Sequence, residues 1–113
     1  MKCRDPDGTR LLLKAGSRIT YPSEFKSDRR QIFLDGEVFA EVSKNPHRSF
    51  VITSGQVSVK VLGTKFDFRA YSSSKSSEIA LAEGSVEMLV SSGSTSVTYS
   101  MIPGDVLQYD GHT

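Results

Sequence analysis

The sequence predicts an all-β domain, and three patterns carry the prediction. In the stretch from Val57 to Tyr71, VSVKVLGTKFDFRAY, apolar and polar residues alternate. Val57, Val59 and Val61 hold one phase; after Gly63-Thr64 the alternation resumes one step out, with Phe66, Phe68 and Ala70 apolar. Successive strand side chains point to opposite faces, so each half reads as a strand with one buried and one wet face. A phase slip at glycine is what a bulge or sharp bend produces, because glycine accepts backbone angles that a Cβ resists. One long strand turning a corner at Gly63 is therefore expected, and a corner lets a strand leave one sheet and enter another.

The second pattern is a recurring glycine followed two residues later by valine, at Asp35-Gly36-Glu37-Val38, Ser54-Gly55-Gln56-Val57, Glu83-Gly84-Ser85-Val86 and Pro103-Gly104-Asp105-Val106, with a weaker copy at Asp7-Gly8-Thr9-Arg10. Long and short intervals alternate between these glycines, a weak internal repeat in which a turn is expected to launch a strand about twice every 48 residues. Third, no window keeps apolar residues three and four apart over the roughly 11 residues that an amphipathic helix needs. The expected architecture is about ten short strands in a folded-over two-sheet β-sandwich or a short solenoid-like coil.

Taken in order, Met1 to Pro6 reads as a frayed leader, residues 7–110 as a single β-domain and residues 111–113 as a tail. Arg10 to Leu13 is a short apolar strand, and Ala15-Gly16-Ser17 turns into Ile19 to Tyr21, which Pro22 ends. Glu24 to Arg30 is polar, with room for one helical turn. Gln31 to Leu34 and Glu37 to Ser43 read as separate strands, the second returning through a hairpin loop at Lys44 to Arg48 into Ser49 to Thr53. Ser72 to Ser77 is a loop with almost nothing to bury, expected to be mobile. Glu78 to Leu81 is a short strand; Val86 to Val90 and Val97 to Met101 form a hairpin across Ser91 to Ser96, and Val106 to Tyr109 comes last.

Composition narrows the function. A chain of 113 residues is long enough to bury a core without disulfides or metal, and Cys3, the only cysteine, leaves no internal disulfide to form. The net charge of +1 and the absence of aromatics interleaved with Arg29-Arg30 argue against nucleic acid. No run approaches the roughly 20 apolar residues of a membrane helix, and MKCRDPDGTR has no apolar signal region.

The candidates for chemistry are weak. His47, in a proline-containing loop, and His112, one residue from the end, form no closely spaced histidine set, so no metal site is expected. Asp5 and Asp7 do not continue into a calcium loop, Ser92-Gly93-Ser94-Thr95-Ser96 is no nucleophile elbow, and the glycines open strands rather than phosphate-binding helices. No catalytic residue and no cofactor is expected. Glu37 and Glu41 share a strand face about 13 Å apart, too far to act as an acid and base pair. Phe39 lies between them on the same face, either packed under a loop or part of a contact patch; Glu37, Phe39 and Glu41 are the candidate partner contacts. The rival reading is a small extracellular carbohydrate-binding or adhesin-like β-domain; for a glycan site Tyr21, Tyr71, Tyr99 and Tyr109 are the candidate platforms, although the pattern places Tyr99 with the apolar set and there is no tryptophan.

The ordered segments DGTRLLLKAGSRITYP (Asp7 to Pro22), LDGEVFAEVSKNP (Leu34 to Pro46), VSVKVLGTKFDFRAY (Val57 to Tyr71), AEGSVEML (Ala82 to Leu89) and MIPGDVLQYD (Met101 to Asp110) resemble the FecR domain of transmembrane anti-sigma regulators. The most specific pieces are Gly36-Glu37 with Glu41-Val42 and Lys44-Asn45-Pro46, then Val61-Leu62-Gly63-Thr64 with Phe66, then Glu83-Gly84-Ser85-Val86; the Lys44-Asn45-Pro46 variant is similar to members from Bacteroidetes-type bacteria. Leu12, Lys14 and Phe39-Ala40 depart from the family's usual Trp, Asn and paired aromatics, which touches packing rather than any active group. The resemblance implies a non-catalytic periplasmic domain of a longer single-pass protein, here starting at an added Met1, whose membrane helix and cytosolic sigma-binding segment lie outside the chain. It implies as partners the signalling domain of an outer-membrane TonB-dependent receptor and, through that cytosolic segment, an extracytoplasmic-function sigma factor. It implies, as the outcome, the switching on of genes for uptake of iron chelates or glycans.

Overall fold

The computed structural model describes residues 2–4, 9–20, 29–44, 49–71, 76–92 and 94–109. These form nine strands in one hydrogen-bonded sheet: β1 (Lys2–Arg4), β2 (Arg10–Leu13), β3 (Arg18–Thr20), β4 (Arg29–Glu41), β5 (Ser49–Ser54), β6 (Val57–Ala70), β7 (Ser77–Ser92), β8 (Thr95–Met101) and β9 (Val106–Tyr109). No helix occurs among the described residues. All pairings are antiparallel except β4 with β5.

A flat sheet is about 10 Å thick, yet the molecule measures 37 × 29 × 29 Å. The sheet is folded over because its long strands bend. The first half of β6 lies between β5 and the second half of β7, whereas its second half lies between β4 and the first half of β7. The change comes at Gly63, which has φ +57°, and the β6–β7 register shifts there between Leu62 and Phe66. Val57, Val59 and Val61 before the corner, and Phe66, Phe68 and Ala70 after it, all enter one core, as the phase slip requires. β7 bends beside it at Gly84, φ +93°, where an added Cβ would lie 2.7 Å from the Gly63 carbonyl oxygen. The seam is tied by the Thr64 hydroxyl donating to the Ser85 carbonyl at 2.8 Å and by the Val42 N–H donating to the Thr64 carbonyl at 2.8 Å.

One layer therefore contains β1, β2, the second half of β4, the second half of β6, the first half of β7, and β9. The other contains β3, the first half of β4, β5, the first half of β6, the second half of β7, and β8. β4 crosses between the layers away from the seam, at Gly36, which pairs with Ala70; the Ser54 hydroxyl donates to the Ala70 carbonyl at 3.3 Å nearby. Arg30, 1% exposed, helps close the core. It lies over the Phe50 ring at 5.2 Å to the centroid and donates to the Thr9 hydroxyl at 3.3 Å and the Ser43 carbonyl at 3.4 Å.

The observed strands are fewer and longer than expected. Gln31–Leu34 and Glu37–Ser43 merge into β4, and the two segments around Gly84 merge into β7, so Gly36 and Gly84 bend strands rather than launch them; Gly55 and Gly104 do lie in turns. The expected hairpin between Glu37–Ser43 and Ser49–Thr53 does not form. The second half of β4 already has β2 on one edge and β6 on the other, so β5 pairs in parallel with the first half instead. Lys2–Arg4, expected to fray, pairs with β2. Tyr99 sits opposite buried Met88 but is 43% exposed, because β8 is an edge strand with little above it. Of the segment Glu24 to Arg30, expected to have room for a helical turn, Arg29 and Arg30 belong to β4 instead; its residues 24–28, the loop residues 45–48 and 72–75, Asp5, Asp7, Tyr21, His47, His112 and the tail lie outside the described residues.

Candidate protein-docking face

The even-numbered residues of β4 from Ile32 to Ala40 point into the core, so Glu37, Phe39 and Glu41 point outward together. Register then fixes their neighbours. Across five strands, Leu12, Phe39, Asp67, Ala80 and Val106 stand directly opposite one another in a single row. Directly opposed side chains on one face lie within contact reach, so the row is an apolar stripe interrupted by one acid. Leu12 is 38% and Val106 57% exposed; Phe39 and Asp67 are half-buried.

Rows of charge border the stripe. On one side run Arg10, Glu41, Lys65 and Glu83, alternating in sign, with Arg10 Nη2 2.7 Å from Glu41 and Lys65 Nζ 3.4 Å from Glu83. On the other run Glu37, Arg69, Glu78 and Gln108, where Arg69 and Gln108 both donate to Glu78, at 3.2 and 2.8 Å. An apolar centre inside a polar rim is the anatomy of a protein contact surface. Exposed ion pairs add little stability, so the rows chiefly orient charge around the stripe.

Among the described residues, Asp67 is the one strongly perturbed group. Partial burial, a hydrogen bond with the Glu37 carboxyl and that carboxyl's charge push its pKa up to about 7, against the pull of Lys14 and Arg69. Asp67 therefore takes up its proton near neutrality, and the stripe loses its central charge as the pH falls. Among the described residues, no group of three or more His, Cys, Asp or Glu side chains is placed to hold a metal ion.

The structure thus brings Glu37, Phe39 and Glu41 onto one face. It also shows that Glu37 has a carboxylate neighbour in Asp67 rather than in Glu41. That pairing is diagonal across β4 and β6 and leaves no local trace in the sequence. Leu12 did leave one: in Leu11-Leu12-Leu13 only alternate residues can be buried, so the middle leucine must face outward.

The FecR protein family model matches residues 2–87. The chain belongs to the FecR family. Two crystal structures of a candidate anti-sigma factor from Parabacteroides distasonis ATCC 8503 superimpose on this FecR domain, each with a TM-score of 0.82 and 28% sequence identity over 96% of the chain. The chain spans 54% of the length of those proteins. No curated protein matches it. Among the described residues no helix is long and apolar enough to cross a membrane.

Proposed function

We propose that this FecR domain is the periplasmic relay of an anti-sigma regulator. It receives a signal from the signalling domain of an outer-membrane TonB-dependent receptor and controls an extracytoplasmic-function sigma factor through parts of a longer, membrane-anchored protein. The domain acts by protein–protein contact rather than catalysis, and Glu37, Phe39 and Glu41 contribute to the contact. The observation that carries this reading is the family match over residues 2–87, supported by the 28% identity to a candidate anti-sigma factor; the bordered stripe supplies a surface suited to the task.

The test uses the full-length regulator in its host with a sigma-dependent transcription reporter. Phe39→Ser, which removes the ring from the stripe, should abolish induction by the receptor's ligand while the protein accumulates to its normal level. The variant should also no longer retain the receptor's signalling domain in a pull-down. Unchanged induction would remove the stripe from the mechanism, and a sigma-dependent reporter unaffected by deletion of the whole domain would overturn the relay itself.

One observation favours a second reading, carbohydrate binding. A cleft of about 400 Å³ between β8 and β9 is lined by Tyr99 and Tyr109 with Arg69, Ser77, Glu78 and Gln108, aromatic surfaces beside polar groups. Calorimetric titration of the domain with a panel of oligosaccharides decides it: heat that disappears in Tyr99→Ala establishes the sugar site, and no heat at millimolar ligand excludes it.

A further inference from the structure

The acid at the centre of the stripe is poorly supplied with counter-charge. Half-buried Asp67 stands between Phe39 on β4 and Ala80 on β7. Its neighbours along β6 are both cations, but each reaches a different carboxylate on β7: Lys65 lies 3.4 Å from Glu83 and Arg69 3.2 Å from Glu78. On β4, Glu41 is held by Arg10 at 2.7 Å. Glu37, on the other diagonal, shares a hydrogen bond with Asp67. Lys14, whose N–H donates to the Glu37 carbonyl, acts on Asp67 only through its charge, and β9 adds Val106 and the uncharged Gln108. Among the described residues, no ion pair on this face includes Asp67.

A partner laid on the stripe removes Asp67 from its remaining water. Burying an ionised carboxylate without a paired cation is costly, whereas a neutral carboxyl with its hydrogen bond made loses little. Protonated Asp67 donates to the Glu37 carboxylate within the domain, so its one donor is satisfied before any partner arrives. The neutral stripe then runs from Leu12 to Val106 without a charge. The two equilibria are reciprocal: a partner that prefers the protonated face must raise the proton affinity of that face by the same factor. In the free domain the Asp67 carboxyl already titrates near 7 rather than near 3.8, which sets the exchange at neutral pH.

We propose that docking on this face is coupled to proton uptake by Asp67: the receptor's signalling domain seats on the stripe while that carboxyl is neutral and leaves as it ionises. The coupling rests on the docking reading given above and adds regulation to it, with Asp67 as the sensing group and Glu37 as the residue that positions its proton.

The 113-residue chain is titrated calorimetrically with the receptor's signalling domain between pH 6 and pH 8. The expected affinity is about tenfold weaker at pH 8 than at pH 6, the loss that one proton released near pH 7 produces. At pH 8, buffers of different ionisation enthalpy should register uptake of about one proton per complex. Asp67→Asn flattens the profile and abolishes the uptake, which separates this carboxyl from titrating groups of the partner. Glu37→Gln, which removes the neighbouring charge, moves the midpoint of the profile to lower pH. The Asp67 carboxyl carbon, followed by NMR in the free chain, gives a reading that needs no partner, and a midpoint near 4 overturns the proposal. Equal affinity at pH 6 and pH 8 overturns the coupling and leaves docking intact, as does an unchanged slope in Asp67→Asn. Absence of binding at every pH overturns the docking reading and the coupling with it.

Discussion

The two outward faces of the folded sheet carry different chemistry although β4, β6 and β7 run through both. On the layer containing β2 and β9, rows of mixed charge enclose Leu12, Phe39, Asp67, Ala80 and Val106. On the layer containing β5 and β8, one row reads Phe33, Thr53, Ser58, Leu89 and Thr98, with Phe33 49% exposed and the Thr53 and Ser58 hydroxyls 3.0 Å apart, and the next reads Gln31, Val51, Lys60, Glu87 and Ser100. The first face has an apolar centre and a charged rim; the second sets Phe33 and Leu89 apart, with the hydroxylated Thr53 and Ser58 between them. The character of a surface here belongs to the half-strand on one side of a corner, so the corners decide which residues present a contact face at all.

Breaking a corner should consequently have the largest effect. Gly84→Ala puts a methyl group against the Gly63 carbonyl oxygen and the Thr64 backbone at φ +93°. The expected loss is about 2–4 kcal/mol in urea unfolding. Gly55→Ala, in the β5–β6 turn, meets no atom within 4 Å and carries only the cost of its φ of +58°, about 1 kcal/mol. Equal losses at the two sites would show that the seam is no tighter than a surface turn.

The contrast between these glycines marks what the sequence made legible. The corner in β6 was readable because the alternation slips at Gly63, and both apolar sets had to reach one core. The corner in β4 was not: Ile32, Leu34, Val38 and Ala40 keep one phase straight through Gly36, so nothing distinguishes a bend there from a turn. The β4–β5 pairing departs from the local pattern for a different reason. Local turn chemistry favours a hairpin, but edge availability is a tertiary property, and β2 and β6 had already taken both edges. The candidate face was half-legible. Glu37, Phe39 and Glu41 share a strand, whereas Asp67 and Val106 join them only through register across distant strands.

The comparison of faces is sharpened by substitutions that alter each one equally. Phe39→Ser should silence signalling, while Leu89→Ser, half-buried on the opposite face, should leave it intact; a reporter reading the two in parallel separates a specific docking face from a general loss of fold. Asp67 adds a pH signature to the first face. A free aspartate carboxyl titrates near 3.8 and this one near 7, so between those values the folded chain binds the proton more tightly than the unfolded chain. That stabilisation is complete below pH 3.8 and is lost as the pH rises through 7. Asp67→Asn keeps the group neutral throughout, so it should be more stable than the parent at pH 8, with the gap closing towards pH 4. Urea unfolding at the two pH values checks this; a gap that stays constant would mean that the fold does not raise the Asp67 pKa.

The smallest effect is expected at the rim. Arg10 and Glu41 approach to 2.7 Å, but their side chains are 58% and 32% exposed, and pairs in that setting contribute about 0.2–1 kcal/mol. Arg10→Ala should therefore destabilise the domain by less than about 1 kcal/mol, and the difference should shrink in 1 M salt, where the screening length falls to about 3 Å. The same substitution should weaken retention of the receptor domain at low salt more than it weakens the fold, because a rim charge acts chiefly on encounter and orientation. If stability and binding fall in proportion, the row of charge is holding the sheet together rather than framing the stripe.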